Sequence, residues 1–142
     1  MLHGAILRTE HPRAEFTIDV SAAKKLPGVV CVITAGDIDC NNISYRKDHP
    51  ILKKGEVNSI RDEIAAVAAE TKEIALRALK LIKVKYKIKK GIYDPLDALK
   101  ANAPVINKYL KDTQYGKNVS HAFRYEHGNI EEQKKKSAAI VS

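Results

Sequence analysis

The sequence predicts an α+β fold: a mixed sheet with two main helices packed on it, followed by an irregular C-terminal connection. Three observations carry this. Strand-length apolar runs at 2–7, 29–34 and 64–69 are set apart by turn-forming residues such as Pro27-Gly28. Between 72 and 82, Ile74, Ala75, Ala78, Leu81 and Ile82 recur at helical spacing. Directly afterwards the period switches from about 3.6 to 2, with Ile82, Val84, Tyr86 and Ile88 alternating with Lys83, Lys85, Lys87 and Lys89.

Taken in order, the first strand is LHGAIL at 2–7, which runs into Arg8 and a His11-Pro12 turn. A second extended piece at 16–20 follows, and Ser21 is a suitable N-cap for one turn of helix over 22–26. Pro27-Gly28 breaks that helix and opens the 29–34 strand, in which Cys31 is expected as a small buried hydrophobe. Residues 40–55, with Asn41-Asn42, Asp48 and Pro50, show little periodicity and read as a loop off the sheet. The small-residue run at 64–69 suits a strand buried on both faces. Thr71 caps the next helix, whose apolar stripe Leu76 and Leu79 widen, so that it packs closely on a sheet.

The 82–88 strand has one apolar face and one row of ammonium groups, the pattern of a half-solvated or edge strand, and Gly91 ends it. Asp94-Pro95 starts a short helix through Leu99, with Asp94 as N-cap and Pro95 at the first helical position. Residues 102–126 have poor patterning and contain Pro104 and Gly116, so a long ordered connection is expected there. A short polar helix at 131–136 and a final apolar strand at 138–141 close the chain.

A hydrophobic content of 44% over 142 residues supports one cored domain, with 1–101 as core and 102–142 as connection. No apolar run reaches the roughly 18 residues that span a bilayer, and no leader pattern precedes the first strand. Two cysteines make no disulfide framework, and a cytoplasmic setting is the expectation. The formal charge of +8 favours anionic partners in general, and much of the excess sits at 80–90 and 134–136. Lys83, Lys85, Lys87 and Lys89 are therefore the candidate contacts for an anion or a partner. Nucleic acid is not the expected partner, because aromatics do not interleave with the lysines and Tyr86 falls on the apolar side. Protection of a sheet edge explains the same row without any ligand.

Other chemistry finds little footing. His3, His11, His49, His121 and His127 form no close pair at ligand spacing. A Cys40–His49 dyad has neither an orienting group nor an oxyanion donor beside it in sequence. Cys31 and Cys40 fall short of the four cysteines that usually hold an iron–sulfur cluster. Asp62-Glu63, adjacent on a strand, point to opposite faces, and Glu131-Glu132 read as solvated. No Gly-rich phosphate loop is present.

The block MLHGAILRTEHPRAEFTIDVSAAKKLPGVVCVITAGDI at 1–38 resembles the α/β hammerhead domain near the start of the molybdenum-binding subunit of the xanthine dehydrogenase and aldehyde oxidase family. IAAVAAETKEIALRALKLIKVKYKIKKGIYDPLDAL at 64–99 is similar to that family's strand, helix, strand and Asp-Pro helix start. HGNIEEQKKKSAAIVS at 127–142 is similar to the stretch leading out of the domain towards the cofactor-binding part.

The resemblance implies a structural piece of a molybdopterin-dependent hydroxylase that is not catalytic by itself. Molybdopterin, iron–sulfur clusters and FAD would be held in the implied complete enzyme, and none by this chain. Its partners would be the remainder of the molybdenum-binding subunit and the iron–sulfur and flavin domains or subunits. No catalytic, cofactor or metal residue carries over, since the family's acid catalyst and pterin contacts lie further along. Three features depart from the family pattern. A lead-in segment before Leu2 is missing, and the lysines of the 82–88 strand stand where relatives often have acids. Arg61-Asp62-Glu63 stand where a glycine-glutamine-proline turn is common. A fragment or split gene product of such a subunit is therefore one expectation. The other is a free-standing module binding a protein or anionic partner through its lysine-lined strand. An edge left bare would also invite a homodimer.

Overall fold

The structure, a computed structural model, describes residues 1–43, 48–110 and 115–141. Its strands are β1 (His3–Arg8), β2 (Ala14–Asp19), β3 (Val29–Thr34), β4 (Asn42–Ile43), β5 (His49–Pro50), β6 (Glu56–Val57), β7 (Glu63–Ala69) and β8 (Lys83–Ile88). The α-helices are α1 (Ser21–Lys24), α2 (Lys72–Leu81), α3 (Pro95–Leu99) and α4 (Ile130–Lys136). The α+β class stands. The expected single mixed sheet is divided into three sheets, ordered β1-β7-β3, β6-β2-β8 and β4-β5, whose ladder pairs are all antiparallel among the described residues.

Strand β7 is the middle strand of its sheet, but among the described residues only one of its faces is covered, not both as its small-residue run suggested. Ala65, Val67 and Ala69 are buried towards the helices, while Ala66 and Ala68 alternate to the other side. Helix α2 lies on this sheet with Ala75 and Ala78 fully buried, so that its backbone approaches closely. Thr71 caps it as expected, its Oγ1 accepting from the Ile74 N–H at 3.2 Å. The stripe is narrower than read from sequence: Leu76 and Leu81 are exposed, because only one side of the helix meets the sheet.

Two buried clusters make the core. Ala23, Val32, Ala65, Val67, Ala78 and Ile82 form one under the helices; Ala14, Phe16, Val57 and Ile64 form the other under β2 and β6. Leu7, Ile18 and Val84 pack against both and make them continuous. A bulge at the end of the β1–β7 ladder, where Leu7 pairs Ala65 but Arg8 pairs Glu63, leaves Ile64 as the extra residue. Ile64 is 1% exposed and seals the second cluster.

Several local expectations are corrected. Ser21 is the first residue of α1 and not its cap; the Asp19 carboxylate accepts from the Ser21 N–H at 2.9 Å and ties down that helix start instead. Cys31 is exposed: β3 bulges at Val30, so Val29 pairs Ala69 and Cys31 pairs Ala68 on the outer face. Ile88 is 66% exposed although Ala14 opposite it is buried, because the strand runs past the layer that covers its apolar side. Residues 138–141 form no strand, since no neighbouring strand among the described residues offers them a ladder, and Ile140 and Val141 are exposed. The 40–55 loop contains the short β4–β5 ladder, and Asn41 clamps its base by accepting from and donating to the Leu52 backbone at 2.9 and 2.7 Å. Residues 44–47 of that loop lie outside the described residues.

Helix α3 starts as read, the Asp94 carboxylate accepting from the Leu96 N–H at 2.8 Å with Pro95 at the first position. The connection is tied to it by Asn118, whose Nδ2 donates to the Ala98 and Pro104 carbonyls and whose Oδ1 accepts from the Ile106 N–H.

The turn before β7 carries strain. Arg61 has φ +71° where the resembled family commonly has glycine, and its N–H donates to the Thr9 carbonyl at 2.9 Å. Gly28, at φ +85°, faces Ile74 so closely that an added Cβ would lie 2.6 Å from its Cδ1. Arg61→Gly is therefore expected to stabilise the fold by about 1 kcal/mol and Gly28→Ala to destabilise it by a similar or larger amount. Urea unfolding midpoints of the two variants should move in opposite directions. Ile64→Ala is expected to cost about 2–5 kcal/mol, whereas Ile88→Ala should stay within about 0.5 kcal/mol. Equal costs in the same urea titration would contradict the burial difference between the two isoleucines.

Candidate functional site

The lysine strand is built as the alternation required: β8 is an edge, and Lys83, Lys85 and Lys87 are exposed on one face. Its ladder partner, β2, places Asp19 opposite Lys83, Thr17 opposite Lys85 and Glu15 opposite Lys87. Side chains directly opposite share a face, so an acidic row lies beside the basic one. Glu15 pairs with Lys87 at 3.7 Å and with Lys89 at 2.6 Å. Lys89, just past the strand and half-buried, also reaches Glu56 at 3.5 Å. Lys85, by contrast, faces an uncharged residue.

The electrostatics follow that pairing. The Glu15 carboxyl is held below its ordinary value, first by the hydrogen bond from Lys89, then by the charges of Lys89 and Lys87. Lys89 is raised above its ordinary value, chiefly by the same hydrogen bond, with burial opposing and the charges of Glu56 and Glu15 adding. Asp19 is lowered mainly by hydrogen bonds from the Ser21 hydroxyl and backbone, with Lys83 a smaller cause. Lys87 and Lys89 are thus paired within their own sheet by Glu15 and Glu56, and these pairs are exposed enough for salt to screen them. Glu15 and Asp19 could not be matched to lysines from sequence, because register is set by pairing between distant segments.

The histidines and cysteines do not assemble. His11 stacks edge-on against Tyr86 with ring centroids 4.5 Å apart, and His121 against Tyr115 at 5.3 Å. His3 stands near Glu73 at the α2 start, and His49 and His127 are exposed. Cys40 Sγ lies 3.9 Å from the Asn42 carbonyl. Among the described residues no three His, Cys, Asp or Glu side chains come together as a metal site. Asp62 and Glu63 do serve different sides: Asp62 pairs with Lys53 at 3.6 Å and accepts from the Asn58 and Ser59 N–H groups, while Glu63 pairs with Arg8 at 3.1 Å.

One feature was not legible in the sequence. A cleft of about 920 Å³ lies among Asn42, His49, Lys53, Asn58, Asp62 and Tyr109. Three separate loops supply its walls, so no local motif marks it. Its Asn42 and Asn58 amide oxygens are buried without a hydrogen-bond partner among the described residues. Such a wall can accept hydrogen bonds from a donor.

Fold and surface together define an α+β module of small antiparallel sheets, with one principal helix lying on the β1-β7-β3 sheet. Comparison with known proteins shows which module it is. Residues 1–90 match the family model described as aldehyde oxidase and xanthine dehydrogenase, a/b hammerhead domain. The chain belongs to that family, and the resemblance read from its sequence is borne out.

Among relatives, it is 33% identical to the carbon monoxide dehydrogenase large chain of Afipia carboxidovorans, over 92% of this chain and 18% of that protein. It is 36% identical to a xanthine dehydrogenase component of Bacillus subtilis, itself named as probable, over 93% of this chain and 17% of that one. Among solved structures, a Cu,Mo-CO dehydrogenase superposes with a TM-score of 0.80 at 28% identity, covering 99% of this chain and 19% of that chain. The aldehyde oxidoreductase of Desulfovibrio gigas gives a TM-score of 0.67 at 28% identity over 75% of this chain and 13% of that one. The chain thus spans less than a fifth of the length of these relatives. No helix among the described residues is long and apolar enough to cross a membrane.

Because the folded Glu15 value lies below the unfolded one, its contribution is present above the ordinary value of 4.5 and is lost as pH falls through the lowered one. In an NMR titration its carboxyl carbon should therefore move at a pH below 4.5, and Lys89→Met should shift that midpoint upwards. An unchanged midpoint would exclude Lys89 as the main cause.

Proposed function

We propose that this chain is the structural hammerhead part of a molybdenum hydroxylase of the xanthine dehydrogenase and aldehyde oxidase type, and is not catalytic by itself. The family match over 1–90, in a chain equal to less than a fifth of its relatives, carries this reading. The scattered histidines and cysteines support it, since the described residues leave no donor set for the chemistry. In this reading the complete oxidoreductase holds molybdopterin in the remainder of its large chain, with iron–sulfur clusters and flavin in further domains or subunits. The hammerhead part contributes packing and shape. Its own residues hold no step of the reaction.

The alternative, a free-standing module for an anionic partner, draws on Lys83, Lys85, Lys87 and Lys89. It gains less support, because Glu15, Asp19 and Glu56 stand against three of those four lysines. A phosphate at Lys87 or Lys89 would have to displace an existing pair before it contributed.

The reading is tested on the native protein that carries this sequence, purified from its own source. Intact mass and metal analysis should show it within a much larger assembly containing molybdenum. A metal-free species with the mass of this chain alone would overturn the hydroxylase reading while leaving the fold untouched.

A further inference from the structure

The sheet β1-β7-β3 has a second face that no helix among the described residues covers. Its inner face holds Ala65 and Val67 against Ala23, Ala78 and Ile82. On the outer face the register sets two cross-strand rows, Ile6–Ala66–Ile33 and Gly4–Ala68–Cys31. All six residues are apolar or nearly so. Ile6 is 45% exposed and Ile33 37% exposed, and Val30 at the β3 bulge adds another exposed β-branched side chain. One end of the patch is closed by the Arg8–Glu63 ion pair. An antiparallel sheet face meant for water carries polar side chains at these positions, and the β2–β8 face of this same chain does so. An apolar centre with a charged margin is the anatomy of a surface buried against protein.

We infer that the outer face of β1-β7-β3, centred on Ile6 and Ile33, is where this domain docks onto the remainder of a molybdenum-hydroxylase large chain. The inference rests on the reading under Proposed function. The size of the relatives selects this occupant. The whole fold superposes on 19% of a Cu,Mo-CO dehydrogenase chain, so about four-fifths of that polypeptide lies outside it. A flat patch with small residues in one row and isoleucines in the next suits a broad packed layer better than an inserted peptide. A layer against this face would make β7 a strand covered on both sides, which its run of small residues anticipates.

Cys31 stands in the patch and reports on it without any substitution. In the native protein from its own source, a maleimide should modify Cys31 about tenfold or more slowly than in the same protein unfolded in urea, because only local opening would expose it. A photo-crosslinking amino acid in place of Ile33 of that protein should join to peptides of the large-chain remainder. Ile6→Asp with Ile33→Asp should raise the Cys31 rate while hydrogen-exchange protection of β7 and α2 is retained.

Rapid Cys31 labelling in an intact molybdenum-containing protein would overturn the docking face and leave the family assignment standing. Crosslinks to a second copy of this chain, or to an unrelated protein, would overturn the chosen occupant. A protein isolated without a hydroxylase large chain would remove the reading on which the inference rests.

Discussion

Strand β7 is the constraint on which the rest of the structure depends. It is the middle of its sheet, and its alanines allow β1 and β3 to flank it while α2 lies flat across them. Larger side chains there would lift the helix and open the space that Ala75 and Ala78 now fill. Its bulge matters as much as its composition. By setting Ile64 beside Ala65, it sends one large side chain into the cluster under β2 and β6 and turns Glu63 to the opposite side. The two halves of the core therefore meet at this irregularity, where Leu7 touches both.

The turn that delivers the chain into β7 shows what this geometry costs. Arg61 adopts a left-handed conformation that an L residue with a Cβ disfavours by about 1–2 kcal/mol. The surroundings over-determine it: the Thr9 backbone donates to Asp62 and accepts from Arg61, and the Asp62 carboxylate collects the Asn58 and Ser59 N–H groups. Asp62 and Lys53 stand at the wall of the neighbouring cleft, so the same turn shapes both the core strand and that hollow.

Charge on this molecule is arranged for the sheet before it is offered to any partner. A net charge of +8 read as a bare number suggests a surface for anions. In the folded chain the acids of β2 lie beside the lysines of β8, and Glu15 is shared between two lysines. The lysines still serve the edge, because the unpaired side of β8 presents charge to any strand that approaches. The face most in need of a partner is instead uncharged: the outer side of the β1-β7-β3 sheet, where Ile6 and Ile33 meet solvent.

Most elements, and the family, are readable from the residues alone. Thr71 and Asp94 mark their helix starts, and the alternation at 83–88 marks an edge strand. The order of these blocks identifies a hammerhead domain, because caps, periods and motif order are local properties of the chain. Which faces are covered is a different matter, settled only when the elements pack. Cys31 turned outward because β3 bulges against β7, and Ile88 stayed exposed because no layer among the described residues reaches the end of β8. Residues 138–141 found no ladder, and the lysine row met its acids through the register of two strands far apart in the chain. Periodicity tells which side chains share a face; whether another surface lies against that face depends on segments distant in sequence, and only folding brings them together.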